Sequence, residues 1–299
     1  MKQKLISIII NCYNGEKYLQ KTLESILNQN YQNFEVIFID NCSSDKSSKI
    51  FKKINDKRFK YFRTKSKIKL YDARNLALRK CKGHFITFID TDDWWNKNFL
   101  SSRSKFYNSS KKYGFCFSNC LHYFENKKKF EPFSKNKLPS GFILEDLLKN
   151  YFVKMGTIII KKELISSLRF NSSYNIIGDF DFIIRAAKKY KGMGFQDFLV
   201  NIRIHHDNFT HNNRKMFYQE FLNWTKDQNF KEIYFKRTQL ILLQKLEYLR
   251  IIYLLLNNKK FKLILDIIKV SPFSKKLKLL LIYFLPISVI NFKLKYFRL

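Results

Sequence analysis

The sequence predicts an α/β protein: a mainly parallel sheet flanked by helices, followed by a helical, basic C-terminal extension. Two observations carry this. Short apolar runs alternate with stretches of helical periodicity over the first 90 residues, and strands that alternate with helices pair in parallel through right-handed crossovers. From about Met216 the alternation stops and helical spacing persists, with Leu240, Leu243, Leu246 and Leu249 leading to Ile252 and Leu256.

The elements follow in order. Leu5 to Ile10 reads as a strand that ends at Asn11-Cys12-Tyr13-Asn14-Gly15, and Tyr18, Leu19, Thr22, Leu23, Ile26 and Leu27 recur at helical spacing. Phe34 to Ile39 repeats the pattern and ends in Asp40, where Asn41-Cys42-Ser43-Ser44-Asp45 forms a turn cluster able to cap the next helix. A short strand near Phe59 to Phe62, a helix from about Asp72 to Cys81 and a strand from Phe85 to Ile89 continue the alternation. Residues 113 to 156, broken by Pro132, Pro139 and Gly141, read as irregular loops that shape a second substrate pocket. Thr157 to Ile160 is another strand, Asp179 to Tyr190 a helix, and Arg203-Ile204-His205-His206 closes the region. The domains expected are 1–214, with halves at about 1–112 and 113–214, and 215–299.

At 299 residues with 45% hydrophobic content, the chain can build one large domain and an appendage. Its five cysteines form no CxxC pair, which argues against a disulfide framework or zinc site and for a reducing compartment. Met1-Lys2-Gln3-Lys4 runs straight into the first strand and is too short and polar for a signal peptide, so the expectation is cytoplasmic. The formal charge of +33 is spread along the chain without a helix-turn-helix, zinc-finger or basic-zipper pattern. It fits anionic lipids or a phosphorylated substrate rather than nucleic acid. Residues 215–299 hold 17 Lys or Arg against 5 Asp or Glu. Their longest apolar run, Leu279 to Ile290, is 12 residues and contains Pro286. A spanning helix needs about 20. This segment is expected to lie on the inner face of the plasma membrane; packing on the catalytic domain or on a second copy, giving a homo-oligomer, is the alternative.

The sharpest chemical signal is Asp90-Thr91-Asp92-Asp93, where three carboxylates crowd the end of a buried strand. Ligands of open α/β sheets bind at that edge. Clustered carboxylates repel unless a cation neutralises them, and oxygen ligands suit Mg²⁺ or Mn²⁺, which also grip phosphate. The structural alternative is that Asp92 or Asp93 caps a helix starting near Trp94. Neither GxGxxG nor GxxxxGK[ST] follows the first strand, so phosphate must be held otherwise.

Ser7-Ile8-Ile9-Ile10-Asn11-Cys12-Tyr13-Asn14, Val36-Ile37-Phe38-Ile39-Asp40, Ala73-Arg74-Asn75, Phe88-Ile89-Asp90-Thr91-Asp92-Asp93 and Gly178-Asp179-Phe180-Asp181 occur in this order. Over residues 5 to 210 the chain thereby resembles glycosyltransferase family 2. The resemblance implies the GT-A fold, a Rossmann-like mainly parallel sheet, and inverting transfer from a nucleotide-diphosphate sugar, with uridine diphosphate as carrier. It also implies roles for individual residues. Asp40 receives the nucleobase or ribose, and Asn11, Tyr13 and Asn14 line the same pocket or simply form the turn into the first helix. Arg74 approaches the nucleotide or diphosphate, and Asn75 orders the turn. Asp90, Asp92 and Asp93 form a DxD element: Asp92 and Asp93 with His205 on the metal, Asp90 on the ribose or sugar. Asp179 is the general base, with Asp181 in reserve.

The departures are Asn11 where relatives show Pro, Asn41 after Asp40 where two acids are usual, and Gly178 where an acid often precedes the base. The Gln-x-x-Arg-Trp signature of processive synthases is missing, which points to addition of one sugar to a glycan or lipid-linked oligosaccharide in cell-surface polysaccharide or lipopolysaccharide synthesis. Two rival readings are nucleotidyl transfer, which usually wants a Gly-rich phosphate loop, and a non-catalytic basic protein binding nucleic acid or membrane on a transferase-like fold.

Overall fold

The computed structural model describes residues 3–109, 112–206, 208–209, 213–227, 236–256, 263–270, 279–280 and 283. The chain divides into two compact units, Met1–His205 and His206–Leu299, upstream of the expected boundary at 214.

In the first unit the sequence alternation becomes β1 (Ile6–Cys12), α1 (Glu16–Leu27), β2 (Phe34–Asp40), α2 (Ser47–Lys52), β3 (Phe59–Arg63), α3 (Leu70–Lys80) and β4 (Phe85–Phe88). Every residue of β2 and β4 is buried, as expected of strands covered by helices on both faces. α1 turns one stripe, Leu19, Thr22, Leu23 and Ile26, into the core.

Two parts of the sequence reading change. Trp94–Trp95 starts no helix; it is a two-residue strand, β5, and the next α-helix is the short α4 (Ser104–Asn108). Residues 113–156 are not irregular, because they carry β6 (Phe115–Ser118), β7 (Leu121–Phe124), β8 (Lys129–Pro132) and α5 (Leu144–Lys149). The chain continues through β9 (Ile159–Lys161), α6 (Gly178–Lys189), β10 (Gly192–Phe195) and β11 (Val200–Ile204).

The seven-stranded sheet runs β10-β6-β9-β4-β1-β2-β3, and a four-stranded sheet runs β5-β11-β7-β8. β9 alone in the large sheet is antiparallel, pairing Thr87 with Ile159 on one side and Cys116 with Ile159 on the other. This reversal positions the site: the segment that precedes β9 reaches the carboxyl edge of β4 and β6, where the acids stand.

Two buried ions hold this arrangement. Glu35 inside β2 accepts hydrogen bonds from Ser7 Oγ (2.7 Å), the Lys82 N–H (2.6 Å) and Lys60 Nζ (2.5 Å). Burial alone would push its carboxyl up, but these partners outweigh it and hold it below the usual range. Arg103 is fully buried between the rings of Phe99 and Phe195 and donates to both oxygens of Asp197, at 2.5 and 2.9 Å, which fixes the turn from β10 to β11.

The second unit contains α7 (Arg214–Asp227), α8 (Lys236–Leu256) and α9 (Leu263–Lys269). Tyr248, Ile251, Ile252 and Leu255 pack with Leu263 and Ile267, and Arg250 bridges Glu247 and Asp266. Leu240 and Leu243 are exposed while Leu242 and Leu249 are buried. A strict spacing of three drifts around a helix of 3.6 residues per turn, so the leucines do not share one face. Among the described residues no helix is long and apolar enough to cross a membrane. Most of the Leu279 to Ile290 run lies outside the described residues.

Removing one partner of a buried ion pair strands the other, at a cost of about 3 kcal/mol. Asp197→Ala is therefore expected to lower the urea midpoint markedly, and the double variant Arg103→Met/Asp197→Ala to recover most of it. Equal loss in both would show that Arg103 is held by its ring contacts instead.

Candidate active site

The site lies at the carboxyl ends of β1, β2 and β4. The loops after β1 and β2 are bound to each other: the N–H groups of Asn14, Gly15 and Glu16 donate to Ser43 Oγ (3.1 Å), Ser47 Oγ (2.9 Å) and Asp45 (2.9 Å), and the Ser44 N–H donates to the Asn14 side chain (2.9 Å). The α1 N-terminus is thus capped from a neighbouring loop rather than by its own residues. Asn14 and Cys42 adopt left-handed backbone, φ +52° and +62°, and asparagine is among the residues that tolerate it. Asn14 is a turn residue whose side chain is committed, whereas Tyr13 is exposed with Lys67 Nζ 3.7 Å from its ring centroid. Asn11 Nδ2 is buried and has no hydrogen-bond partner among the described residues.

Asp40 is fully buried at the end of β2 and accepts from the Ser43 N–H (2.8 Å), Arg63 (2.8 Å) and the Tyr61 hydroxyl. Burial works against its charge, but these partners prevail and keep it ionised below the usual carboxylate range. Asn41 explains the missing second acid: its amide donates to the Ile68 carbonyl (2.8 Å) and accepts the Ile68 N–H (2.9 Å), and a carboxylate could not donate.

Arg74, on α3, is not on a solvated face. It is buried among the rings of Tyr71, Phe88 and Phe170 and donates to Asp90 (3.2 Å) and to Asp179. Asn75 holds α3 to the Phe170 backbone in both directions, at 2.9 and 3.0 Å, which is a structural task. The Asp90 side chain remains 52% exposed. Asp179, at the first turn of α6, has its carboxyl pushed up to about 6, because burial and the charge of Asp90 outweigh the ion pair with Arg74. Its N–H donates to the Tyr71 hydroxyl (3.3 Å), which itself donates to the Ile176 carbonyl (2.8 Å). A Cβ on Gly178 would lie 2.4 to 2.7 Å from the Tyr71 ring, which accounts for glycine at this position. Asp181 is buried and turned along the helix to Arg185 (2.6 Å), away from the role held in reserve for it.

Asp92 and Asp93 separate. Asp93 Oδ1 accepts the Arg203 N–H (3.0 Å) and is buried, and burial together with Asp92 and Asp90 pushes its carboxyl well up. Asp93, expected among the metal ligands, thus has one oxygen committed to the Arg203 backbone, and the turn Asp90–Asp93, closed by the Asp93 N–H on the Asp90 carbonyl (3.2 Å), leaves Asp92 the more open of the two. Asp92 Oδ2 lies 3.0 Å from His205 Nε2. Among the described residues no three His, Cys, Asp or Glu side chains form a ready metal cage. The Asp92–His205 pair nonetheless fits part of one, since adjacent ligands of an octahedral ion at about 2.1 Å stand about 3.0 Å apart. A hard ion held by few protein ligands takes the rest from phosphate oxygens.

Arg203 ties this corner together. Its Nε donates to the Asp92 carbonyl (3.1 Å) and its guanidinium to Glu125 (3.2 Å), with the rings of Tyr18 and Trp94 at 4.3 and 4.9 Å. Tyr18 in turn donates to Glu125 (2.8 Å) and places its ring 5.1 Å from that of His205.

Residues 7–185 match the model of glycosyl transferase family 2. The chain belongs to this family. An uncharacterised glycosyltransferase of Haemophilus influenzae is 33% identical over 201 residues, 64% of this chain and 75% of the relative. The UDP-Glc:α-D-GlcNAc-diphosphoundecaprenol β-1,3-glucosyltransferase WfaP of Escherichia coli is 32% identical over 179 residues, 56% of this chain and 64% of that protein. The mannosyltransferase PcManGT from Pyrobaculum calidifontis, solved with GDP-Man and Mn²⁺, superposes with a TM-score of 0.60 over 98% of this chain and 80% of that one, at 15% identity. The protein is a glycosyltransferase with relatives in polysaccharide biosynthesis, and the rival readings of nucleotidyl transfer and of a non-catalytic binding protein fall away.

Within this glycosyltransferase the fold brings Asp90, Asp92, Asp179 and His205 together through Arg74 and Arg203, and keeps Asp40 at the neighbouring strand end. Sequence reading missed Tyr18, Glu125, Tyr151 and Lys154. Tyr18 reads as one more position in a helical stripe, and Glu125 meets it from 107 residues away. Tyr151 and Lys154, whose charge acts on both Asp179 and Asp93, fall in the stretch read as irregular.

Gly178→Ala should force its methyl into the immovable Tyr71 ring and shift Asp179, costing about 1 to 3 kcal/mol of overpacking and roughly 10-fold or more in transfer rate. Wild-type turnover in this variant would mean that the start of α6 moves without consequence.

Proposed function

We propose that the protein catalyses inverting, metal-dependent transfer of one sugar from a nucleotide-diphosphate sugar, uridine diphosphate being the favoured carrier, to a hydroxyl of a glycan or lipid-linked acceptor in cell-surface polysaccharide synthesis. The observation that carries this reading is the bridge Asp90–Arg74–Asp179, which sets a carboxylate poised near pH 6 beside the acid cluster at a strand edge. The names of the relatives support the donor and acceptor classes: WfaP uses UDP-Glc and a diphosphoundecaprenol-linked acceptor, and PcManGT was solved with GDP-Man and Mn²⁺.

In this reading Asp40, ionised and held rigid, accepts N–H or O–H groups of the nucleoside, and Asn11 Nδ2 gains in the donor the partner it lacks. Asp90, half open to the cleft, receives ribose or sugar hydroxyls. Asp92 and His205 would hold the ion, which supplies positive charge where negative charge develops on the departing diphosphate. Arg74 fixes the direction of the Asp179 carboxylate, and Asp179 takes the proton of the attacking acceptor hydroxyl. A base of this strength is largely ionised at neutral pH and still able to accept a proton. One displacement with one base inverts the anomeric centre.

The carboxylate form is the base, so transfer is expected to fall about tenfold per pH unit below roughly pH 6 and to level off above it. The same shift implies that Asp179 detracts from stability above that pH and not below the ordinary carboxylate range. Asp179→Asn should lower the rate by about 10² to 10⁴ while keeping donor binding. A flat pH profile down to pH 5 would sink the assignment.

A thermal-shift screen of UDP-, GDP- and dTDP-sugars with and without Mn²⁺ tests the donor site, because ligands of the native state raise its melting temperature. The expected result is a rise that needs both one nucleotide and the metal, and that is lost in Asp92→Ala. An equal rise without metal would overturn metal dependence.

A further inference from the structure

Tyr151 lies in the segment delivered to the site by the reversal at β9. Its ring stands edge-on to that of Phe180, the residue after Asp179, with centroids 5.3 Å apart and planes at 68°. Its hydroxyl is buried and has no hydrogen-bond partner among the described residues, although the side chain as a whole is only half-buried. Both charges of the Arg74–Asp179 pair act on it; burial and the nearby carboxylate hold the phenol well above its usual range, so it stays a protonated donor.

A buried hydroxyl without a partner is destabilising, and native chains rarely keep one. Phenylalanine would fill the same space at no such cost. The neighbouring groups are already committed: the Asp179 N–H to Tyr71, one Asp179 oxygen to Arg74. The ring contact with Phe180 and the reach of the Asp179 charge place this O–H beside the base.

We propose that Tyr151 orients the acceptor: its hydroxyl hydrogen-bonds an oxygen of the acceptor sugar adjacent to the hydroxyl that Asp179 deprotonates. This rests on the reading of Asp179 as the base. It assigns Tyr151 to acceptor recognition, separate from the donor residues on β1, β2 and β4, and it makes the acceptor a sugar with a second oxygen within reach of the attacking one.

The test compares full-length wild type, Tyr151→Phe and Asp179→Asn. Melting temperatures are measured first, then transfer with UDP-Glc and α-GlcNAc-diphosphoundecaprenol or with the pair that a donor and acceptor panel returns. Tyr151→Phe should melt at the wild-type temperature or above, since it removes an unsatisfied group. Its KM for the acceptor should rise about tenfold or more, as expected for a lost hydrogen bond to substrate, while the KM for the donor and the fall in rate near pH 6 stay put. A lower melting temperature would make Tyr151 structural and overturn the proposal. So would an unchanged acceptor KM, or an equal rise in donor KM. Should Asp179→Asn retain wild-type transfer, the reading of the base fails on its own evidence, and the acceptor KM of Tyr151→Phe still decides where Tyr151 binds.

Discussion

Arg74 has almost no contact with water, and a guanidinium in that position is tolerable only because carboxylates flank it. Burial opposes its charge, and Asp179 and Asp90 together more than restore it. The same contacts join three elements that the chain makes at widely separated times: α3, the end of β4 and the start of α6. Whatever moves one carboxylate moves the other through a rigid planar fork. The orientation of Asp179 is thereby coupled to the acid cluster rather than left to the flexibility of a loop.

The second organiser is Arg203, which works through its backbone as much as its side chain. Its N–H takes Asp93 out of the cleft, its Nε supports the Asp92 carbonyl, and its strand carries His205 to Asp92 two residues later. β5 is only two residues long because its task is to pair Trp94 and Trp95 with β11 and set that register. The small sheet is thus the device that closes the acid turn against the end of the first unit.

Much of this was legible in the chain. Continuous apolar runs that end in Asp40 and Asp90 announce buried parallel strands and the edge where ligands bind, and the ordered motifs place Arg74 and Asp179 with them. The small sheet was not legible, because strands of two to four residues carry too little periodicity and find their partners far away: β7 pairs with β11 at a separation of about 80 residues. Asp92 and Asp93 are chemically identical as letters, and only the turn after β4 and the backbone of Arg203, 110 residues on, distinguish the one at the cleft from the one in the interior. Asn41 and Gly178 looked like losses; the backbone of Ile68 and the ring of Tyr71 turn them into requirements.

β9 has a consequence for how such a chain diversifies. Entering the large sheet in the opposite sense, it returns the polypeptide from the segment of β6, β7, β8 and α5 at one fixed doorway beside β4. Change between β8 and α5 leaves the strands that carry Asp40 and Asp90 untouched, whereas β7 and Glu125 are tied to β11 and Arg203 and, through Arg203, to Asp92. The fold thus sets a frame of β1, β2 and β4 apart from an insert that rejoins it at a single strand, so a substitution in the outer part of the insert can act without touching the frame.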